Sequence, residues 1–114
     1  MMLQDILVVV SNAYNLTPEQ LKEHTRRRDI VRPRQIVMWI ARHATKLSLP
    51  DIGQRLGGYD HTTVMHGVNI IEKMMEDDPE YAKHVRWLTK AADTRSMQRQ
   101  RPLPQKSIEM PASA

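Results

Sequence analysis

The sequence contains no cysteine and no phenylalanine, and each absence excludes a class of structure or chemistry. Without cysteine the chain has no disulfide framework, no cysteine-ligated metal centre and no thiol nucleophile. Without phenylalanine its core must rest on aliphatic side chains, methionine, tryptophan and tyrosine. The longest apolar run near the start is Ile6–Val10, whereas about 20 residues are needed to cross a bilayer. We therefore expect a cytoplasmic protein with no membrane partner and no secretory signal.

The length and composition indicate one small folded domain. The chain has 114 residues, of which 40% are hydrophobic and 26% are charged, as in ordinary globular proteins. Residues 95–114 contain three prolines and no aliphatic period, a composition that buries too little surface to offset chain ordering. We predict a folded domain over residues 1–94 and a disordered basic tail over residues 95–114.

The spacing of apolar residues predicts helices in the first half of the domain. Leu3, Ile6, Leu7, Val10 and Ala13 lie on one helical face. The β-branched run 8–10 also permits a strand, but no second strand is available to pair with it. A capping box beginning at Thr17 predicts a short second helix over residues 18–24. Residues 25–32 are predicted to be a basic loop, because Pro33 disfavours helix before it and can begin a third helix over 33–47.

Three further helices are predicted in the second half. Ser48 caps a brief fourth helix over 49–56, which Gly57 and Gly58 end. Asp60 caps a fifth helix over 61–75, and a sixth follows over 80–93. The chain is therefore predicted to be all-α, a six-helix bundle-like domain.

Charge is unevenly distributed along the chain, although the net charge is only +4. Residues 22–46 sum to +6, from eight basic and two acidic side chains, whereas residues 72–80 sum to −4, from five acidic and one basic side chain. A charge run is usually a solvated surface. Here arginine predominates over lysine, which suits phosphate recognition. The basic residues are Lys22, Arg26, Arg27, Arg28, Arg32, Arg34, Arg42 and Lys46.

The fourth and fifth predicted helices, joined by a short glycine-containing turn, have the pattern of a helix-turn-helix. In that unit the second helix enters the major groove of DNA by its N-terminus. Its leading residues here, Asp60–Thr63, all carry hydrogen-bonding side chains. An ordinary helical hairpin with Asp60 as a simple cap has the same spacing, so the pattern alone leaves both interpretations open.

Two longer motifs resemble a known family. Residues 52–66, Ile-Gly-x-x-Leu-Gly-Gly-Tyr-Asp-His-Thr-Thr-Val-Met-His, resemble the signature of the C-terminal DNA-binding domain of the bacterial replication initiator DnaA. Residues 32–36, Arg-Pro-Arg-Gln-Ile, are similar to its second hallmark, and residues 48–50, Ser-Leu-Pro, lie between them. The resemblance spans residues 3–93 and implies a helix-turn-helix domain of the TrpR-like, DnaA C-terminal type.

The resemblance also implies roles for individual residues. Those that read base edges in the major groove are Asp60, His61, Thr62 and Thr63. A basic-loop arginine that reaches the minor groove corresponds to Arg26, where narrow A·T-rich grooves attract cations. The implied phosphate contacts are Arg34, Gln35, Arg42 and the backbone at Leu49 and Pro50. No catalytic residue, metal site or cofactor is implied.

The sequence departs from the family pattern in two ways. Tyr59 stands where the family usually has arginine, so one positive charge beside the reading helix is missing. No G-x-x-x-x-G-K-[ST] phosphate loop occurs, so we expect no initiator ATP chemistry from this chain. The expectation is a DNA-binding domain standing alone, monomeric on asymmetric sites, nucleoid-associated, and either a competitor of the full-length initiator or a transcriptional regulator.

The sequence leaves one other class of function open, a protein-interaction module, and disfavours a second, an enzyme. A protein-interaction module with lost DNA binding would use the acidic stretch 72–80 or the tail, and Tyr59 keeps this alternative open. An enzyme is disfavoured, because His61 and His66 are five residues apart rather than the four that place two metal ligands on one helical face. Trp39 and Trp87 are predicted to be partly buried in amphipathic helices.

Overall fold

Six α-helices account for almost all of residues 1–100, which are the residues that the computed structural model describes. They are α1 (Leu3–Ala13), α2 (Pro18–Leu21), α3 (Arg28–Ala44), α4 (Leu49–Arg55), α5 (His61–Asp77) and α6 (Pro79–Gln100). No strand occurs among these residues. The predicted all-α class and the number and order of the helices are confirmed. Residues 101–114, most of the predicted tail, lie outside the described part of the chain.

The core is centred on α3, which packs against both α1 and α5, while α6 packs along α1 and α5. Each helix contributes the apolar face that its sequence period predicts, and Ile6, Ile36, Ile40 and Ile71 are completely buried. Burial of such side chains is worth about 1.5–3 kcal/mol each, so these faces hold the helices together. Within residues 1–100, no helix has the length and apolarity needed to span a membrane.

α3 and α5 approach most closely at Gly67. A Cβ added to Gly67 would lie 2.5 Å from Sδ of Met38 and 3.2 Å from Cγ of Gln35, both on α3. A side chain at this position would displace the buried thioether of Met38. The close approach fixes α5, the second helix of the helix-turn-helix, against the central helix.

α3 begins at Arg28, so the prediction of a loop up to residue 32 was wrong. Pro33 lies inside the helix, where it removes one backbone hydrogen bond. The first turn is nevertheless stable because Ile30 is completely buried and the backbone N–H of Val31 donates to the Arg27 carbonyl at 2.8 Å. The same helix ends three residues early, at Ala44, where the extended Thr45 turns its hydroxyl onto the Ala41 carbonyl at 2.6 Å.

α6 continues to Gln100, so the predicted helix end at 93 and the predicted start of disorder at 95 were also wrong. Two arginines of this last stretch, Arg95 and Arg99, pair with the buried carboxylate of Asp5 on α1 at 3.4 and 2.8 Å. These ion pairs and the buried Ser96 extend the helix beyond its aliphatic face. Trp87 on α6 is 62% exposed, contrary to the prediction of partial burial.

Candidate nucleic-acid interface

The turn between α4 and α5 depends on three glycines. The backbone N–H groups of Gly58 and Tyr59 both donate to the Gly53 carbonyl at 2.9 Å, which folds the turn back onto α4. A Cβ on Gly53 would lie 1.9 Å from the Tyr59 carbonyl oxygen, so this position requires glycine. Gly57 and Gly58 have φ of +119° and +88°, which side chains disfavour. The helix-turn-helix therefore has a tight and defined geometry.

The predicted reading residues lie together on the open first turn of α5. Asp60 is the N-cap and its carboxylate accepts the Thr63 backbone N–H at 2.9 Å. This hydrogen bond is the main cause of the lowered pKa of Asp60, which keeps the carboxylate ionised. His61, Thr62 and Thr63 are exposed, whereas the next residue, Val64, is completely buried. The turn thus presents polar side chains outward while Val64 anchors it to the core.

The exposed face of α5 extends one turn beyond the four residues that are predicted to read bases, Asp60–Thr63. Met65, His66 and Asn69 are all exposed and follow Thr62 at helical spacing. The family resemblance implies no role for these three residues. Their exposure could have been predicted from the sequence, since this methionine, histidine and asparagine occupy positions outside the apolar period of the helix.

The observed basic loop is shorter than predicted and runs over residues 22–27, between α2 and α3. The side chains of Arg26, Arg27 and the first α3 residue, Arg28, are exposed. Arg27 forms an ion pair with Asp29 at 2.6 Å. In residues 1–100, no carboxylate lies within ion-pair distance of Arg26 or Arg28. These two guanidinium groups are therefore available for an external anion.

Arg34 is buried, with only 5% of its surface exposed, and this argues against the predicted phosphate contact. Its Nε donates to the Leu21 carbonyl at 2.9 Å and its Nη2 donates to the Glu23 carbonyl. Burial lowers the pKa of Arg34, but an arginine remains charged at neutral pH. Its structural effect is to hold the end of α2 and the start of the basic loop against α3.

The other predicted phosphate contacts are placed differently from one another. Gln35 is buried beside Gly67, and its amide oxygen accepts Nη1 of Arg32 at 3.0 Å, so it too faces inward. Arg42 is exposed on α3 and can reach a phosphate. At the start of α4, Leu49 has a backbone N–H, whereas Pro50 has none and cannot donate.

Tyr59 connects the turn of the helix-turn-helix to the basic loop. Its hydroxyl donates to the Glu23 carbonyl at 2.8 Å, and its ring stacks on His24 with centroids 4.4 Å apart and planes 7° apart. Cζ of Arg34 lies 4.9 Å from the centre of the same ring. Burial raises the pKa of Tyr59, so the phenol stays protonated and able to donate. The sequence indicates only a missing charge at Tyr59, because these contacts join residues that are far apart along the chain.

The acidic stretch 72–80 already has structural roles. Asp78 accepts the backbone N–H groups of Glu80 and Tyr81 at the start of α6. Glu72 accepts the indole N–H of Trp39 at 2.8 Å. Glu72 and Asp78 thus have partners within the domain. Among the described residues, no three His, Asp or Glu side chains are grouped so as to hold a metal ion.

Both the family model that matches this chain and the similar known proteins are of the bacterial DnaA type. The family model described as bacterial dnaA protein helix-turn-helix matches residues 3–71. The chromosomal replication initiator protein DnaA of Caulobacter sp. (strain K31) is 43% identical over 88 residues, which are 77% of this chain and 18% of that protein. The protein of the same name from Bartonella quintana (strain Toulouse) is 42% identical over 86 residues, 75% of this chain and 17% of its own length. The chain thus spans under a fifth of these relatives.

Proposed function

Because the chain belongs to the bacterial DnaA helix-turn-helix family, which binds DNA in replication initiation, we propose that it binds double-stranded DNA at sites like the boxes of the initiator. The observation that carries this proposal is the open first turn of α5. Four polar side chains are exposed there on a helix whose orientation is fixed by the glycine turn and by Gly67.

In the proposed complex the first turn of α5 enters the major groove. Thr62 and Thr63 can exchange hydrogen bonds with base edges or place a methyl group against thymine, and His61 adds a planar donor or acceptor. Asp60 keeps acceptor capacity beyond its cap and so can accept from the amino group of cytosine. The exposed Met65, His66 and Asn69 would extend the contact along the groove.

Arg26 is proposed to enter the adjacent minor groove, where A·T-rich sequence concentrates negative potential. Arg28, Arg42 and the Leu49 N–H are proposed to contact phosphates, which fix the position of the protein without reading sequence. The buried Arg34 and Gln35 are removed from this set of direct contacts and assigned to holding the basic loop and α3 in place.

A single domain suffices for an asymmetric site, so we propose that a monomer binds and that the chain acts on the nucleoid in the cytoplasm. By occupying boxes it would compete with the full-length initiator or regulate transcription at nearby promoters. No G-x-x-x-x-G-K-[ST] motif is present in the 114 residues, so ATP chemistry by a phosphate loop of this kind is not part of the proposal.

Equilibrium binding to a duplex carrying an initiator box, compared with a scrambled duplex of equal length, tests the proposal. We expect tighter binding to the box and steep weakening with added salt, because phosphate contacts release counterions. Equal affinity for both duplexes, or a complex insensitive to salt, would favour the protein-interaction alternative instead.

Substitution then tests whether the first turn of α5, residues Asp60–Thr63, contacts the bases. We call this segment the reading turn. Thr62→Ala should weaken binding to the box by about tenfold and relax the preference at one base pair, since a lost base contact costs about 1–3 kcal/mol. Thr94→Ala on α6, an exposed threonine remote in sequence from the motif, is the matched control and should leave binding unchanged.

A further inference from the structure

The basic loop and the helix-turn-helix are joined through a cluster of contacts around Tyr59. The loop itself has no regular secondary structure between Lys22 and Arg27. Three contacts hold it to the turn. They are the hydrogen bond from the Tyr59 hydroxyl to the Glu23 carbonyl, the stacking of the Tyr59 and His24 rings, and a 2.5 Å hydrogen bond between His24 Nε2 and the Gly57 carbonyl. We call this set of contacts the tyrosine junction.

The tyrosine junction leaves little freedom to Arg26. Arg26 follows the anchored His24 by two residues and precedes the first residue of α3, Arg28, by two. Two residues span at most about 7 Å of extended chain, so Arg26 is confined between two fixed points. The Thr25 hydroxyl also accepts the Arg27 backbone N–H at 3.2 Å, which closes the segment further.

The other end of the junction lies at the reading turn. Tyr59 directly precedes Asp60, the N-cap of α5, and its own backbone N–H is bound to the Gly53 carbonyl. Movement of the Tyr59 ring is therefore coupled to the backbone that begins the reading helix. Arg34 supports the junction from α3 through its contacts with the ring and with the Glu23 carbonyl.

We propose that Tyr59 is a positioning residue that holds Arg26 in register with the reading turn, so that the two grooves are engaged by one preorganised surface. This inference rests on the proposed function. Tyr59 needs no DNA contact of its own in this role. Its effect is to avoid the ordering cost that a free loop would meet on binding, which improves affinity without adding a contact.

A double-mutant cycle between Tyr59 and Arg26 tests the proposal. In the wild-type background, Tyr59→Ala should weaken binding to the box by about tenfold. In the Arg26→Ala background the same substitution should cost less than about twofold, because the side chain to be positioned is gone. Losses that simply multiply would show that Tyr59 acts independently of Arg26 and would overturn the proposal.

Conservative and matched variants separate positioning from general stability. Tyr59→Phe keeps the ring stack and loses one hydrogen bond, so it should recover most of the affinity, to within about threefold of wild type. Tyr14→Phe removes a comparable hydroxyl, bound to His84 at 2.8 Å, between α1 and α6. It should show no coupling to Arg26. Should Tyr59→Ala not fold, the cycle is measured with His24→Ala and with Tyr59→Phe.

Hydrogen exchange in the free protein gives a readout that needs no DNA. The backbone amides of residues 23–27 should exchange faster in Tyr59→Ala than in wild type, and unchanged protection would overturn the anchoring. A wild-type chain that binds box and scrambled duplex equally would overturn the proposed function. If the wild-type chain prefers the box but the affinity losses of Tyr59→Ala and Arg26→Ala are independent, only the role of Tyr59 is overturned.

Discussion

Two groups of arginines in this small domain have opposite surroundings. Arg26 and Arg28 flank the junction of the basic loop and α3, exposed and without an acidic partner among residues 1–100. Arg95 and Arg99, on the last turns of α6, share the carboxylate of Asp5, which is 1% exposed. The first pair can attract a polyanion, whereas the charge of the second pair is partly compensated by Asp5 in joining α1 to α6. Neighbouring charges, more than the number of arginines, distinguish a binding surface from a structural contact.

Arg34 adds a third environment, a buried guanidinium whose partners are backbone carbonyls. The sequence placed it with the phosphate-binding arginines because it lies in the motif of residues 32–36. Its burial instead makes it a support for the loop that carries Arg26. The comparison therefore predicts that substitutions in the three environments affect stability and DNA binding in different proportions.

The largest effect on stability is expected for Arg34→Ala. Loss of a buried guanidinium leaves the Leu21 and Glu23 carbonyls without these donors, which should lower the free energy of unfolding by about 3 kcal/mol. Urea denaturation measures the change. Arg42→Ala, an exposed arginine on the same helix, is the control and should alter DNA binding with little effect on stability. A stable Arg34→Ala protein with weakened binding would instead restore the direct phosphate contact.

Asp5→Asn should have the next largest effect, a loss of about 2 kcal/mol from charged hydrogen bonds between α1 and α6, with DNA affinity retained. The hydrogen bond from Arg99 is the main cause that lowers the pKa of Asp5 in the folded state. Because the pKa of Asp5 is lower in the folded than in the unfolded state, the ionised carboxylate stabilises the fold. This contribution is fully present above the unfolded-state pKa and is lost as pH falls through the folded-state pKa.

Acid denaturation of wild type and Asp5→Asn therefore tests the same contact. The difference in stability between the two proteins should be largest near neutral pH and should shrink below about pH 4, as Asp5 becomes protonated in wild type. A difference that stays constant down to pH 2 would show that the ion pairs do not contribute.

Arg26→Ala should leave the thermal unfolding temperature unchanged and weaken binding to the box by about tenfold, with a shallower dependence on salt. Binding at several salt concentrations measures both effects. The loss should be greatest for duplexes with A·T pairs in the contacted minor groove. An equal loss on G·C-substituted duplexes would assign Arg26 to phosphate binding instead.

The smallest effect is expected for Arg27→Ala. Asp29 already pairs with Arg27 on the surface, so its charge is partly compensated, and exposed pairs contribute little to stability. We expect less than about a twofold change in DNA affinity and no measurable change in unfolding temperature. A loss as large as that of Arg26→Ala would show that pairing with Asp29 does not decide which arginines bind DNA.

Much of the fold was predictable because caps, glycines and apolar spacing favour locally the same helices and turns that packing stabilises in the folded domain. The capping box at Thr17, the Ser48 and Asp60 caps and the glycine turn are all observed, with Gln20 N–H donating to the Thr17 hydroxyl at 3.1 Å. Where the end of α6 was wrongly predicted, the stabilising partner lies far away in sequence. Asp5 and Arg99 are 94 residues apart, and no local period signals their contact.

The candidate site also has features that the local sequence predicts and features that depend on long-range contacts. The sequence identifies the polar turn Asp60–Thr63 and the basic segment that contains Arg26, because residue type and spacing are local properties. It could not assign Arg34 to the interior or find the tyrosine junction, since both depend on contacts between α2, the loop, α3 and the turn.

The sequence by itself therefore determined that this is an all-α helix-turn-helix domain, with six helices in a given order and a polar turn beginning α5. Apolar period, caps and glycines encode the helices and the turn within a few residues, and the resemblance of residues 52–66 to the DnaA family implies the helix-turn-helix. The tertiary structure alone decided which arginines are free, which share the carboxylate of Asp5 and which is buried beneath Tyr59. The physical reason is that the environment of a charge is set by its neighbours in space, which the folded chain brings together from distant positions.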